Sequence, residues 1–259
     1  MTDTASVELT RGDESWRAGR FETASWHYLK AGRLDPTSDV PLLRLGALQE
    51  SLGRGDLALR FWQLAAERNP QRALTRQRLG FARLAEADPT GASAEFAQAL
   101  VLDAGLWRSR FGAALASEAL GDLVLAQRHL DDALLAQPLS AELLAHSARI
   151  ALRLGQSVRA RREAEAALAL EPRDEATLVL ADLQALDGDY ARALESYHSV
   201  LTEAAAYERL GERALERDDP IHAVQFFDEA IVASPVHLES ARQRRAIARA
   251  RLDVSQRTP

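Results

Sequence analysis

The chain has 259 residues, 47% of them apolar and 27% charged, a composition that supports a packed core and excludes wholesale disorder. Its net charge of −6 argues against general nucleic-acid binding, and the absence of cysteine excludes disulfides, thiolate metal sites and cysteine nucleophiles. No apolar run approaches the roughly 18 residues of a membrane span.

Glycine (14) and proline (9) are sparse and punctuate long Ala/Leu/Arg/Glu stretches, so an all-α chain is expected. The punctuation is periodic. Ala24, Ala58, Ala92, Ala126 and Ala160 are spaced by 34 residues, and Ala193 and Ala223 follow at 33 and 30. Four residues after each alanine stand Tyr28, Trp62, Phe96, Leu130, Ala164, Tyr197 and Phe227. Twelve residues before it the side chain is always small: Gly12, Gly46, Gly80, Ala114, Ala148, Ala181 and Gly211. Small residues let two helices approach, and the bulky residue on the second helix fills the gap. Gly19, Gly53, Gly121, Gly155 and Gly188 fall where a first helix must stop, and Pro36, Pro70, Pro138, Pro172 and Pro235 where a second one ends.

Taken in chain order, the helix pairs cover about 5–38, 39–72, 73–106, 107–140, 141–173, 174–203 and 204–237. The first pair presents Glu8, Arg11 and Ser15 where apolar residues should pack, so fraying is expected over Met1 to Gly12. Pro89 and Pro220 open the second helices of the third and seventh pairs, where a missing N–H costs nothing. The two short spacings predict shortened helices or linkers between Ala193 and Ala223. A last helix over 238–253 should cap the array, with Leu238, Ala241, Ala248 and Leu252 packing and Arg242, Arg244, Arg249 and Arg251 solvated, and 254–259 forms a flexible tail.

A 34-residue unit with Leu-Gly, Ala, an aromatic, Ala and Pro in this order resembles the tetratricopeptide repeat (TPR), and Arg44 to Pro70 is its best copy. The resemblance covers about residues 5–237. It implies a right-handed superhelical solenoid of about seven TPR helix pairs plus a C-terminal capping helix, forming one domain over 1–253 with a concave inner face. The first-helix positions eleven and fifteen before each alanine lie four apart on one ridge, and the resemblance implies that this ridge lines the groove.

Sequence motifs for catalysis, phosphate cradling or paired zinc ligation are missing, so no enzyme, cofactor or metal is expected. The six histidines read as surface residues, and Asp131, Asp132, Glu163 and Glu165 as solvated acids. Two Arg-Gly-Asp tripeptides, at Arg11 and Arg54, are coincidences of packing and turn positions. The Arg-rich stretches Arg159 to Arg162 and Arg242 to Arg251 are interleaved with Glu163, Glu165, Glu239 and Asp253, unlike a phosphate-binding stripe. Met1 to Trp16 holds no apolar core of signal-peptide length, so a cytoplasmic protein is expected. All but one of its 32 basic residues are arginine, a skew associated with GC-rich bacterial coding.

The candidate partner-binding groove comprises Gln77, Phe81 and Leu84 in the third pair, Arg108, Phe111 and Leu115 in the fourth, and Arg149 and Arg153 in the fifth. Farther along, the ridge turns acidic with Asp182, Glu208, Glu212 and Glu216. Chaperone-type relatives hold a C-terminal carboxylate with lysines and asparagines, which the lone Lys30 and Asn69 cannot reproduce. An arginine version using Arg149 and Arg153 stays open. The expected function is a protein-interaction scaffold whose partner is a protein or peptide segment with apolar anchors and acidic residues, with no nucleic acid and no membrane. A regulatory sensor whose superhelix tightens on a peptide or signal is the alternative.

Overall fold

The computed structural model describes residues 4–234 and 239–257, with side chains to Val254. Fifteen helices and no strand occur among the described residues. Clustering of the backbone divides the chain into two compact units, Met1–Pro138 and Leu139–Pro259.

The first unit holds four helix pairs: α1 (Thr4–Arg17) with α2 (Phe21–Leu34), α3 (Val40–Ser51) with α4 (Gly55–Arg68), α5 (Ala73–Ala85) with α6 (Pro89–Leu102), and α7 (Trp107–Ala119) with α8 (Leu123–Ala136). The second holds α9 (Ala141–Arg153) with α10 (Ser157–Leu170), α11 (Asp174–Asp187) with α12 (Tyr190–His198), α13 (Glu203–Glu216) with α14 (Pro220–Ala233), and α15 (Glu239–Arg257).

The alanine column is the seam of every pair. Its seven members are at most 1% exposed, and so many small side chains let each second helix lie directly on its partner. The bulky residue four positions on then reaches into the small position of the first helix. A Cβ on Gly80 would come within 2.7 Å of the Phe96 ring, and one on Gly211 within 2.6 Å of Phe227. In the fifth pair Ala148 faces an alanine, Ala164, and the core there is built almost wholly of alanine.

All seven turns within the pairs use a residue at positive φ. Five are the glycines of the column, and the remaining two are Ala87 (φ 57°) and Asp218 (φ 59°), where a Cβ makes the left-handed conformation costly. The short spacing after Ala193 is explained by α12, which has 9 residues where the other second helices have 14.

Three expectations need correction. Thr4 to Gly12 is helical, because the polar residues of α1 are satisfied within the pair: buried Glu8 accepts from His27 (2.7 Å) and Lys30 (3.0 Å). Glu163 is buried, not solvated, and takes a 2.8 Å hydrogen bond from Arg159. At the C-terminal end α15 continues through Val254 to Arg257, where a flexible tail was expected; Arg242, Arg249 and Arg251 are exposed as expected, yet the arginines of α15 also bond to neighbouring helices. Arg244 pairs with Glu208 and Glu212, Arg249 with Asp228, and Arg251 donates to the Leu215 carbonyl. Ala241 and Ala248 join the core of α13 and α14 as expected, while Pro235 and Leu238 lie outside the described residues.

Candidate functional site

The first helices α5 and α7 touch within the first unit and carry six of the candidate residues. Phe81 meets Phe96 edge to face with ring centroids 4.9 Å apart. It and Leu84 are partly buried against the core of Ala92, Phe96, Ala113 and Ala116. Leu115 is likewise half-buried, and Arg108 is exposed with its guanidinium 4.8 Å from the Trp107 ring. Gln77 and Phe111, expected to face a partner, are instead buried at 6% and 7% exposure. Beside Phe111, Gly112 brings α7 onto the Phe96 ring so tightly that a Cβ there would overlap it.

Beneath this face lies a polar clamp. Glu95 of α6 is buried and bonded to Arg76 (2.9 Å), with Arg83 at 3.5 Å, and Arg83 also reaches Asp88 (3.0 Å). These arginines tie α5 to α6 and hold the α5 ridge in place.

In the second unit Arg149 and His146 of α9 both contact Glu175 of α11. Burial opposes the Glu175 charge, but the hydrogen bonds and charges of His146 and Arg149 outweigh it and hold the carboxyl below its usual range. Arg153 is exposed at the end of α9. The acidic ridge expected beyond it is not free. Asp182 is 3% exposed, accepts from the Tyr197 hydroxyl (2.5 Å) and receives a bidentate pair from Arg209 at 2.8 and 2.6 Å. Burial first, and then the Asp182 charge, push the Tyr197 hydroxyl well above its ordinary pKa. Glu208 accepts from Ser240 (2.5 Å) and Arg244 (3.1 Å), and Glu216 pairs with Arg213 at 2.9 Å. Asp182 and Glu208 thus lock successive helices together, while the Glu216 pair stays within α13. Sequence spacing missed the lock because its members come from three different helices.

The same lock occurs once in the first unit, where Tyr28 donates to Asp13 (2.8 Å) and Arg44 pairs with Asp13 at 3.0 Å. Among the described residues no group of three or more histidines, acids or cysteines is arranged to hold a metal, and no helix is long and apolar enough to cross a membrane.

No family model matches the chain, and no curated protein matches it in sequence. Solved structures do match in shape. A tetratricopeptide repeat protein from Parabacteroides merdae has a TM-score of 0.66 at 17% identity, covering 95% of this chain and 98% of its own. PilF from Pseudomonas aeruginosa has a TM-score of 0.65 at 16% identity, covering 83% of this chain and 95% of its own. YrrB, described as a TPR protein with an unusual peptide-binding site, has a TM-score of 0.53 at 22% identity, covering 68% of this chain and 94% of its own. Helix pairing, the seam of alanines and these likenesses together give the chain the tetratricopeptide-repeat fold.

Proposed function

We propose that this chain is an interaction scaffold that binds a protein or peptide segment on the first-helix face of α5 and α7. One observation carries the reading. Phe81, Leu84 and Leu115 keep exposed apolar surface on two touching helices, with Arg108 beside them, whereas the position of Phe81 and Leu115 in the first and sixth pairs is an aspartate closed by a tyrosine and an arginine. The fold supports it, and YrrB, similar in shape, is a protein with a peptide-binding site. Half-buried apolar side chains held by a rigid scaffold suit apolar anchors, and Arg108 suits a carboxylate.

Separately, in the second unit, Arg149 and Arg153 offer cations to a carboxylate ligand, Arg149 by exchanging its bond to Glu175 for the incoming carboxylate. The test is affinity purification from the native cell followed by titration of the purified partner. Leu115→Glu with Arg108→Glu should weaken binding by about 1–3 kcal/mol, while Arg153→Glu should chiefly slow association and flatten its salt dependence. A partner whose affinity ignores all three changes would defeat the assignment.

A further inference from the structure

A different surface, on the second helix of the first pair, carries an independent observation. Phe21, Trp26 and Leu29 of α2 stand 39%, 55% and 46% exposed around a cavity of about 670 Å3, whose far wall includes Leu52. The other repeats serve as internal controls. The positions of Trp26 and Leu29 are Arg60 and Gln63 in the second pair, Arg128 and Asp131 in the fourth, and Arg162 and Glu165 in the fifth. Only the first pair places large apolar groups there, and Lys30 sits 4.9 Å from the Trp26 ring and helps to fix it.

The cavity is also bordered by Arg20 and Arg54, the residues preceding α2 and α4. At the same position four other second helices carry Asp88, Asp122, Asp189 and Asp219, each accepting a backbone N–H of its own first turn. Arg20 and Arg54 make no such bond and set a cation at the positive end of a helix, a locally unfavourable choice made twice beside one cavity. Neither guanidinium has a carboxylate partner among the described residues. Arg54 meets only Gln49 at 3.5 Å, and Glu22 is the one acid in the lining. Local rules broken together beside one cavity, with large apolar side chains at its mouth, mark a surface shaped by something other than folding.

We infer that this surface is a second docking site, whose occupant is an acidic peptide segment bearing an aromatic or aliphatic anchor. The anchor enters between Trp26, Leu29 and Leu52, and the carboxylates pair with Arg20 and Arg54. Such a site lets one chain hold two partners, since it shares no residue with the α5 and α7 face.

The test is fluorescence polarisation with a short labelled peptide alternating Glu with Leu and Phe, alongside its Gln-for-Glu counterpart. Wild type should bind the acidic peptide about tenfold more tightly than the counterpart. The double variant Arg20→Asp, Arg54→Asp should lose about tenfold in affinity while melting at a higher temperature, because the aspartates restore the missing caps. A purely structural role for these arginines predicts no such loss. Trp26→Ser should also lose about tenfold, and Leu115→Glu should stay within about twofold. No binding by wild type, or undiminished binding by the double Asp variant, would overturn the inference. Loss with Leu115→Glu but not with Trp26→Ser would overturn it in favour of the α5 and α7 face. Concentration-dependent dimerisation abolished by Trp26→Ser, without peptide binding, would overturn it in favour of a second copy of the chain.

Discussion

In the third repeat Phe96 rests between Phe81 and Gly112, and in the sixth Tyr197 rests between Asp182 and Arg209. The three positions have the same register: four after the seam alanine, eleven before it, and fourteen before the next one. One backbone arrangement thus supports two chemistries. With a hydroxyl on the ring, the first-helix position becomes an aspartate, the next helix supplies an arginine, and the face is spent on holding the fold together. Without it, in the third repeat, the position is a phenylalanine packed edge-on, the arginine is a glycine, and apolar surface of Phe81 stays partly exposed.

This contrast can be broken by substitution. Phe96→Ala should cost about 3–5 kcal/mol, because the ring is fully buried and Gly80 and Gly112 leave nothing to collapse into its place. Asp182→Ala should cost about 2–4 kcal/mol in urea denaturation. It strands the Tyr197 hydroxyl and the Arg209 guanidinium, but the Arg209 side chain is 35% exposed and water recovers part of the loss. Tyr197→Phe, which makes the sixth repeat more like the third, should cost only about 1 kcal/mol, since Arg209 still satisfies Asp182. If Tyr197→Phe costs as much as Asp182→Ala, the hydroxyl and not the ion pair dominates the lock.

The turns sharpen the comparison from the other side. Ala87→Gly and Asp218→Gly should each raise stability by roughly 0.5–1 kcal/mol by relieving positive φ, whereas Gly53→Ala should lower it by about as much. The smallest effect is confined to α1. Hydrogen bonds from His27 and then Lys30 lower Glu8 from 4.5 to about 2. A depressed carboxyl contributes stability above its unfolded value and loses it as pH falls through the folded one. Amide exchange of α1 should therefore accelerate first between pH 4.5 and about 2, and uniform acceleration along the chain would contradict the assignment.

The fold was legible because its determinants recur: seam alanines, small positions, turn glycines and terminal prolines all repeat in phase. Pairing of side chains between helices was not. Glu8 looked like a defect in a packing stripe until His27 and Lys30 were placed beside it. Asp182, Glu208 and Glu212 read as an acidic stretch of the groove ridge, yet Asp182 pairs with Arg209 on α13, and Glu208 and Glu212 share Arg244 on α15, some thirty residues away. Phe111 and Gln77 have the register of groove-facing residues, yet both are buried, a property of how neighbouring helices pack that the register alone does not carry. Trp26 stood outside the packing columns, but its meaning depends on Arg20 and Arg54, whose cost appears only when compared with the aspartate caps elsewhere.

The central claim is that the same first-helix position serves a partner in one repeat and the fold in another. Leu115 and Glu212 occupy that position, the first half-buried and apolar, the second paired with Arg244. Benzoylphenylalanine placed at either residue and irradiated in the native cell tests this directly. The account predicts a covalent partner adduct from position 115 and none from position 212, and adducts from 212 alone would contradict it.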